Sequence, residues 1–260
     1  RSALASLHHR GPDGQGVHRD EAALLGHARL AIVDLSPSGA QPMTSASARQ
    51  VIVYNGEVYN AGAMRARCPG VAWRGRSDTE VVLEHLERTG ASGLADLAGM
   101  FALALWQPDR RTLLLARDRV GQKPLYVAQL TGAVAFASEL RPLLDLPEVS
   151  RSVDLEALTL YLALGFVPAP WTLCRGVRQL QPGEVATVDA HGELQVTRYA
   201  PPVGEPHVQV PVDPVEQDQV LADLVLDAVR DHVVADVPVG VLLSGGVDST
   251  VVAAAAARKL

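Results

Sequence analysis

The sequence predicts an α+β fold, in which largely antiparallel sheets pack between helices, followed by the beginning of a parallel α/β domain. In residues 1–200, apolar segments typical of strands and helices follow one another without a regular β-α-β alternation. Residues 214–260 then contain an amphipathic helix, an apolar segment at 239–243 that predicts a strand, a Gly-rich loop and a second helix. Because a parallel sheet needs several such units to bury both of its faces, we expect the second domain to be incomplete.

The first predicted elements are two strands and a helix. Strands are predicted at 24–33 and 51–54, and the Asn-Gly pair at 55–56 is typical of a hairpin turn. Ser77 is a suitable N-cap, and Glu80 follows three residues later, which is the spacing of a capping box. A helix is therefore predicted to begin at this point.

The remaining elements follow from the same patterns. A second helical piece is predicted at 94–100, before several strands. The later elements are strands at 101–106, 112–116, 125–128 and 134–137, a helix at 154–164 that begins near Asp154, and a strand at 185–188. Residues 201–213 are rich in proline and unpatterned, which predicts a linker between a first domain at 1–200 and a second at 214–260.

Composition argues against several classes of protein. The net charge is −6 and there is no long basic run, which disfavours a nucleic-acid surface. No window of about 18 uninterrupted apolar residues exists, so no membrane span is predicted. Cys68 and Cys174 lie too far apart for a zinc pattern, and we interpret them as reduced thiols. The first residues have neither a signal-peptide layout nor an initiator Met, so the chain is predicted to begin inside a longer one.

A Gly-rich loop near the end of the chain predicts a phosphate site. The apolar segment before Ser244 gives way to two glycines and then to a helix, and this arrangement presents backbone N–H groups to an anion. The loop lacks the Gly-Lys-Ser/Thr ending of a P-loop, and an ordinary strand-to-helix turn is the alternative. Asp248 would repel phosphate unless a cation lies between them, so we assign it to Mg²⁺. The predicted ATP-binding residues are Leu242, Ser244, Gly245, Gly246, Asp248 and Ser249.

The segment 236–250, DVPVGVLLSGGVDST, resembles the pyrophosphate loop of the glutamine-dependent asparagine synthetases. Other segments resemble the same family in the same order, namely 9–13, 28–34, 54–60, 77–80, 99–104, 116–126 and 137–140. This resemblance covers nearly the whole chain. It implies a class II glutamine amidotransferase domain with the four-layered αββα sandwich of N-terminal nucleophile hydrolases. The first α-β-α elements of an α/β parallel-sheet ATP-pyrophosphatase domain would follow.

The resemblance also implies a glutamine site. Arg29 offers a planar fork of donors to the α-carboxylate, and Glu57 and Asp78 offer negative charge to the α-ammonium group. The side-chain amide of Asn55 and the backbone N–H of Gly56 would form the oxyanion hole. The main chain of Leu30, Ala31, Ile32 and Val33 would line the same pocket. Taken singly, these residues have structural alternatives: a surface salt bridge for Arg29, a hairpin turn for Asn55 and Gly56, and a helix-start role for Asp78.

The expected nucleophile is missing from this sequence. The family uses an N-terminal Cys, whose own α-amino group acts as the base. This chain starts with Arg1, and its first cysteine, Cys68, is far from that position. We expect a fragment cut at both ends and inactive by itself; a pseudo-glutaminase that lost its Cys is the alternative. The charged run Arg117, Asp118 and Arg119 is interpreted as an ion-pair network, and His8, His9 and His27 as structural.

The function implied for the parent protein is that of a glutamine-hydrolysing asparagine synthase. ATP and Mg²⁺ would activate aspartate as an aspartyl-adenylate, and nitrogen from glutamine would give asparagine, glutamate, AMP and pyrophosphate. Glutamine, aspartate and ATP are the expected partners, a homodimer the expected assembly and the cytoplasm the expected location. Three alternatives remain: the same architecture with another carboxylate acceptor, a β-lactam synthetase, and a non-catalytic glutamine or nucleotide sensor. The set formed by Arg29, the Asn-Gly-Glu run at 55–57 and Asp78 disfavours the β-lactam synthetase.

Overall fold

The computed structural model describes residues 2–201 and 211–258, and most of the predicted linker lies outside these ranges. The chain divides into two compact units. The first unit contains Arg1–Ala31 and Ser36–Val203, and the second contains Ile32–Leu35 and Gly204–Leu260. The short piece 32–35 belongs to the second unit through hydrogen bonds to Asp236. The Asp236 N–H donates to the carbonyl of Ile32 (2.9 Å), and the Asp34 N–H donates to Asp236 Oδ2 (2.8 Å).

The described residues form strands and helices with the following bounds. The strands are β1 (Gly14–Arg19), β2 (Leu24–Arg29), β3 (Met43–Thr44), β4 (Val51–Val58), β5 (Gly99–Gln107), β6 (Thr112–Arg117), β7 (Tyr126–Leu130), β8 (Ala133–Ala137), β9 (Val177–Gln179), β10 (Glu184–Val188) and β11 (Leu194–Arg198). The helices are α1 (Ser2–Ala5), α2 (Ala61–Ala66), α3 (Asp78–Thr89), α4 (Leu140–Leu144), α5 (Leu155–Leu164), α6 (Pro214–His232) and α7 (Val247–Ala257).

An antiparallel sheet in the order β11-β10-β6-β5-β4-β3 forms the centre of the first unit. A second antiparallel sheet has the order β8-β7-β9, and β1 pairs with β2. Most residues of β5 are buried, which explains why its sequence is apolar almost without alternation. The α+β class predicted from the sequence is confirmed.

Three buried clusters show how the layers stack. Leu83 and Leu86 of α3 pack with Leu103 against one face of the large sheet. On the other face, Ala104 packs with Val127 of β7. The far side of the small sheet packs against α4 in a third cluster, formed mainly by Ala128, Ala137, Leu143, Val149 and Val177. Helix, sheet, sheet and helix therefore follow in that order, as the resemblance implied.

The predicted hairpin turn at Asn55 and Gly56 is wrong. Strand β4 continues through both residues to Val58 and pairs with β5 along its whole length. A Cβ atom at Gly56 would lie 2.2 Å from the carbonyl oxygen of Met100 and 2.6 Å from the Cα of Phe101. The glycine is therefore explained by the close approach of the two backbones and not by a turn.

Helix α3 begins as predicted, but without the predicted capping box. The Ser77 side chain accepts a hydrogen bond from the Thr79 N–H (3.1 Å). Glu80 turns away and accepts from the N–H groups of Arg74 (3.0 Å) and Gly75 (3.1 Å), and from Arg74 Nε. The predicted helical piece at 94–100 is wrong in its second half, because the 3-10 helix ends at Asp96 and β5 starts at Gly99.

The second unit contains helices α6 and α7, which confirms both predicted helices. Asp213 caps α6 by accepting from the Val215 N–H (2.7 Å). Among the described residues, nothing pairs with the predicted strand at 239–243, and this segment is assigned no strand. Leu242 is 94% exposed there. An apolar run of this kind becomes a strand only when neighbouring strands satisfy its N–H and C=O groups.

Candidate functional site

Asp78 joins the start of helix α3 to strand β4. Its Oδ2 accepts hydrogen bonds from the Tyr54 hydroxyl (3.0 Å) and the Val58 N–H (3.0 Å), and its Oδ1 accepts from the Thr79 N–H (2.9 Å). Burial raises the pKa of Asp78, and these hydrogen bonds oppose that rise. The carboxylate is thus held in one orientation with acceptor capacity remaining on Oδ1.

Glu57 lies in the same strand and lacks such partners. Its Oε1 is buried and has no hydrogen-bond partner among the described residues. Burial, and then repulsion by Asp78, raise the pKa of Glu57 to about 7, while attraction to Lys123 opposes the rise. The pKa of Lys123 is itself lowered, by burial and by Arg10. Two neighbouring carboxyl groups with an unsatisfied oxygen form an electrostatic site suited to a cationic group.

Asn55 and Glu57 project to the same side of β4 because side chains alternate along a strand. The Asn55 amide donates to the hydroxyl of Ser138 at 3.3 Å, a long hydrogen bond to a neutral acceptor. The residue after Ser138, Glu139, contacts His9 Nε2 (2.9 Å) and Arg10 Nη1 (3.2 Å). These two neighbours lower the pKa of Glu139 against the opposing effect of its burial. A charged cluster therefore lies next to the residue that holds Asn55.

Arg29 is the last residue of β2, and its Nη1 donates to the carbonyl oxygen of Ser36 (3.0 Å). In the segment after it, Ala31 donates its N–H to Asp13 Oδ2 (2.8 Å). Leu30 is 55% exposed. The four predicted main-chain residues are divided, because Leu30 and Ala31 belong to the first unit, and Ile32 and Val33 to the second.

His27 links β2 to β4, the strand that carries Asn55 and Glu57. Its Nε2 lies 3.2 Å from the carbonyl oxygen of Tyr54, so the ring donates from that nitrogen. Burial lowers the pKa of His27 to about 4, and Arg29 adds to the effect. The imidazole is therefore neutral at pH 7, in agreement with a structural role.

The charged run Arg117, Asp118 and Arg119, predicted as an ion-pair network, is held mainly by hydrogen bonds to the backbone, and Asp118 also attracts the Arg117 guanidinium. Arg117 donates to the carbonyl oxygens of Lys123 (2.8 Å) and Gly121 (2.6 Å). Asp118, which is fully buried, accepts from four N–H groups, including those of Gln122 (3.0 Å) and Lys123 (2.9 Å). These bonds fix the loop that carries Lys123 towards Glu57.

Sequence reasoning missed Tyr54, Lys123 and Ser138 as members of this group. All three lie in segments that carried the family resemblance, at 54–60, 116–126 and 137–140. The motifs were therefore visible, but a role for each side chain needs the contact to Asp78, Glu57 or Asn55 that only the fold provides.

The Gly-rich loop of the second unit is ordered by its own hydroxyl groups. Ser249 Oγ lies 3.0 Å from Ser244 Oγ and donates to the Gly246 carbonyl (3.1 Å), and Gly245 has φ +85°. Gly246 is the N-cap of α7 and has no side chain to satisfy the first N–H groups, so these donors remain for a ligand. Asp248 is the acidic residue of the first turn. Within residues 2–201 and 211–258, no group of three or more His, Cys, Asp or Glu residues could hold a metal ion.

A family described as "Glutamine amidotransferase domain" has a model that matches residues 1–200. The chain belongs to this glutamine amidotransferase family. A second model, described as "Asparagine synthase", matches residues 220–260. The two matches occur in the order that the resemblance implied and confirm it.

The names of curated relatives combine asparagine synthesis with glutamine hydrolysis. The chain is 35% identical over 250 residues to asparagine synthetase [glutamine-hydrolyzing] 1 of Bacillus subtilis (strain 168), covering 95% of this chain and 39% of that protein. It is 39% identical over 269 residues to a putative asparagine synthetase [glutamine-hydrolyzing] of Mycobacterium bovis, covering 97% of this chain and 41% of the relative. The chain therefore spans about two fifths of the length of these relatives.

Solved structures confirm the amidotransferase fold. Glutamine phosphoribosylpyrophosphate amidotransferase from B. subtilis, solved with ADP and GMP, superposes with a TM-score of 0.55 at 17% identity, over 98% of this chain and 60% of that one. At this identity the likeness concerns the fold alone. It supports the αββα sandwich fold for the first unit. No helix among the described residues is long and apolar enough to cross a membrane.

Proposed function

We propose that the protein containing this chain is a glutamine-hydrolysing asparagine synthetase, which transfers the amide nitrogen of glutamine to aspartate at the expense of ATP. One observation carries the proposal: amidotransferase and asparagine synthase matches lie in sequence on one chain, at 1–200 and 220–260. We divide the chain accordingly into a glutaminase domain at 1–200, a linker at 201–213 and the beginning of the ATP-binding domain at 214–260.

In the glutaminase domain, Glu57 and Asp78 bind the α-ammonium group of glutamine. Glu57 has an oxygen without a described hydrogen-bond partner and a pKa of about 7, and both support this role. A bound ammonium group would donate a hydrogen bond to that oxygen, and its positive charge would lower the pKa of Glu57. Arg29 binds the α-carboxylate, and the main chain of Leu30 and Ala31 lines the pocket. This role requires the Arg29 guanidinium to donate hydrogen bonds to glutamine as well as to the Ser36 carbonyl oxygen.

The oxyanion that forms when the amide is attacked is stabilised by Asn55 and Gly56. The long hydrogen bond from Asn55 to Ser138 supports this, because an oxyanion is a stronger acceptor than a hydroxyl and would replace it. A donor of this kind contributes about 3–4 kcal/mol to lowering the barrier.

In the second domain, the loop Leu242 to Ser249 holds the phosphates of ATP, and the aspartate is activated as an adenylate. The free N–H groups at the start of α7 and the Ser244 and Ser249 hydroxyls support this role. Asp248 would bind Mg²⁺, which typically takes one or two carboxylates together with substrate phosphates, so a single acidic residue fits. The ion would neutralise phosphate charge. ATP use favours a cytoplasmic location, and a homodimer stays a prediction.

The experiment follows AMP formation by the protein that contains this chain, with ATP and Mg²⁺, with or without aspartate, and with glutamine or ammonia as the nitrogen source. We expect AMP only when aspartate is present, with either nitrogen source. Aspartate-dependent AMP with ammonia alone would contradict the roles given to the glutaminase residues. AMP formation indifferent to aspartate would contradict asparagine synthesis and indicate another carboxylate acceptor.

A further inference from the structure

A cavity of about 420 Å³ lies in the first unit, between residues of β7 and β9 and the edge strand β11. Three strands, β10, β6 and β5, separate β11 from β4, which carries the candidate glutamine residues. The volume lies within the range of about 300–1,000 Å³ that is usual for small-molecule sites. This cavity is therefore a separate place in the same unit that could take a ligand.

Much of the cavity wall is apolar. Val127 and Leu194 come from two different sheets, and Pro170 and Trp171 come from the segment that precedes β9. Trp171 is 38% exposed, which leaves part of its ring surface for a ligand. An apolar group of a ligand would remove this surface from water.

Two side chains of opposite charge also line the cavity. Arg178 donates from Nη2 to Glu184 (3.1 Å), but its Nε is buried without a hydrogen-bond partner among the described residues. Asp154 caps α5 through Oδ1, which accepts from the N–H groups of Glu156 (3.0 Å) and Ala157 (3.1 Å). No described residue donates to its Oδ2. One cationic and one anionic group therefore retain hydrogen-bonding capacity at the cavity.

The neutral polar residues of the wall are already occupied. The Thr172 hydroxyl donates to the carbonyl oxygens of Val177 (2.8 Å) and Cys174 (3.0 Å), and Gln129 Nε2 donates to the Gly192 carbonyl (2.8 Å). Recognition of a charged group would therefore depend on Arg178 and Asp154. Arg178 already pairs with Glu184, so its remaining capacity is the Nε donor, while Asp154 offers the acceptor Oδ2.

We propose that this cavity binds an α-amino acid with an apolar side chain. The ammonium group binds Asp154, the carboxylate binds Arg178, and the apolar side chain packs against Trp171, Val127 and Leu194. A zwitterion supplies an acceptor to Arg178 Nε and a donor to Asp154 Oδ2 at once, whereas an apolar acid or an apolar amine supplies only one of the two. The site is independent of the function proposed for Glu57 and Asp78.

The test is calorimetric titration of the purified protein with L-phenylalanine, and with phenylacetate, which lacks the ammonium group. We expect phenylalanine to bind at least about tenfold more tightly than phenylacetate. Asp154→Asn keeps an N-cap side chain and removes the charge, so it should weaken phenylalanine binding about tenfold and leave phenylacetate unchanged. Arg178→Gln should weaken both ligands, and Arg175→Gln, an exposed arginine outside the cavity, should weaken neither.

Three results would overturn the proposal: no phenylalanine binding up to about 10 mM, equal affinity for both ligands, or unchanged phenylalanine affinity in Asp154→Asn. Because Arg178 also pairs with Glu184, its variant could lose stability for an unrelated reason. Arg178→Lys retains the charge, and the thermal unfolding midpoint of each variant identifies a folding defect. If Arg178→Gln and Arg178→Lys both unfold, the phenylalanine affinity of Asp154→Asn decides whether the cavity binds an amino acid as proposed.

Discussion

Replacing Glu57 with Gln should change how the stability of the protein depends on pH. The pKa of Glu57 is about 7 in the folded protein, against an ordinary value of 4.5. Between these two values the folded state holds a proton that the unfolded state releases, so raising the pH destabilises the folded state. Because a glutamine side chain does not titrate, the Glu57→Gln variant does not lose stability in this way as the pH rises.

The magnitude follows from the two pKa values. A difference of about 2.5 pH units corresponds to at most about 3.4 kcal/mol at 1.36 kcal/mol per unit. Glu57 is only half-buried, and solvent screening reduces that figure, so we expect about 1–2 kcal/mol. The free energy of unfolding of Glu57→Gln minus that of the wild type should therefore grow by this amount as the pH rises from about 4.5 to 8.

Urea unfolding of both proteins at several pH values in this range measures the difference directly. Other titrating groups are common to the two proteins and cancel to first order. Glu193→Gln, at an exposed position of the first unit, controls for the substitution itself. A difference that stays constant across the range, or one that shrinks as the pH rises, would refute the electrostatic reasoning about Glu57.

Three further substitutions test the packing and the proposed roles. Gly56→Ala should cost about 2–3 kcal/mol in urea unfolding, because the new Cβ would meet the Met100 carbonyl at 2.2 Å, whereas Gly62→Ala in α2 has open space and should be neutral or slightly stabilising. Tyr54→Phe should cost about 1–2 kcal/mol, since it removes the hydroxyl that donates to Asp78; an unchanged midpoint would contradict that contact. Asp78→Asn should raise the KM for glutamine at least about tenfold and leave ammonia-dependent AMP formation unchanged. Equal losses with both nitrogen sources would argue for a merely structural Asp78.

Local signals in the sequence were sufficient to predict where these helices begin. They were insufficient where tertiary contacts determine the local conformation. Ser77 and Asp154 have the side chains that cap helices, and both do so in the structure. The Asn-Gly pair at 55–56 is typical of a turn, but the pairing of β4 with β5 overrides that preference. The contact between Tyr54 and Asp78 joins residues 24 positions apart, and no periodicity in the sequence could reveal it.

The glutamine site could be predicted residue by residue only through family resemblance. Composition and spacing gave Glu57 no distinction from other glutamates. Its raised pKa comes from burial and from repulsion by Asp78, which the attraction to Lys123 only partly opposes, and all three effects require the fold. The loop that carries Lys123 is fixed in turn by the backbone bonds of Asp118, which the sequence suggested only as an ion-pair network.

A comparison of two glutamates within the first unit supports a binding role for Glu57. Glu80 is 1% exposed, yet its carboxylate accepts two N–H groups and an arginine Nε, so burial costs little and the role is structural. Glu57 is less buried but has an oxygen with no described partner, beside a second carboxyl group that repels its charge. A residue retained only for stability would be arranged like Glu80. The arrangement of Glu57 is unfavourable until a cation arrives, which is typical of a binding site and gives a bound ammonium group its affinity.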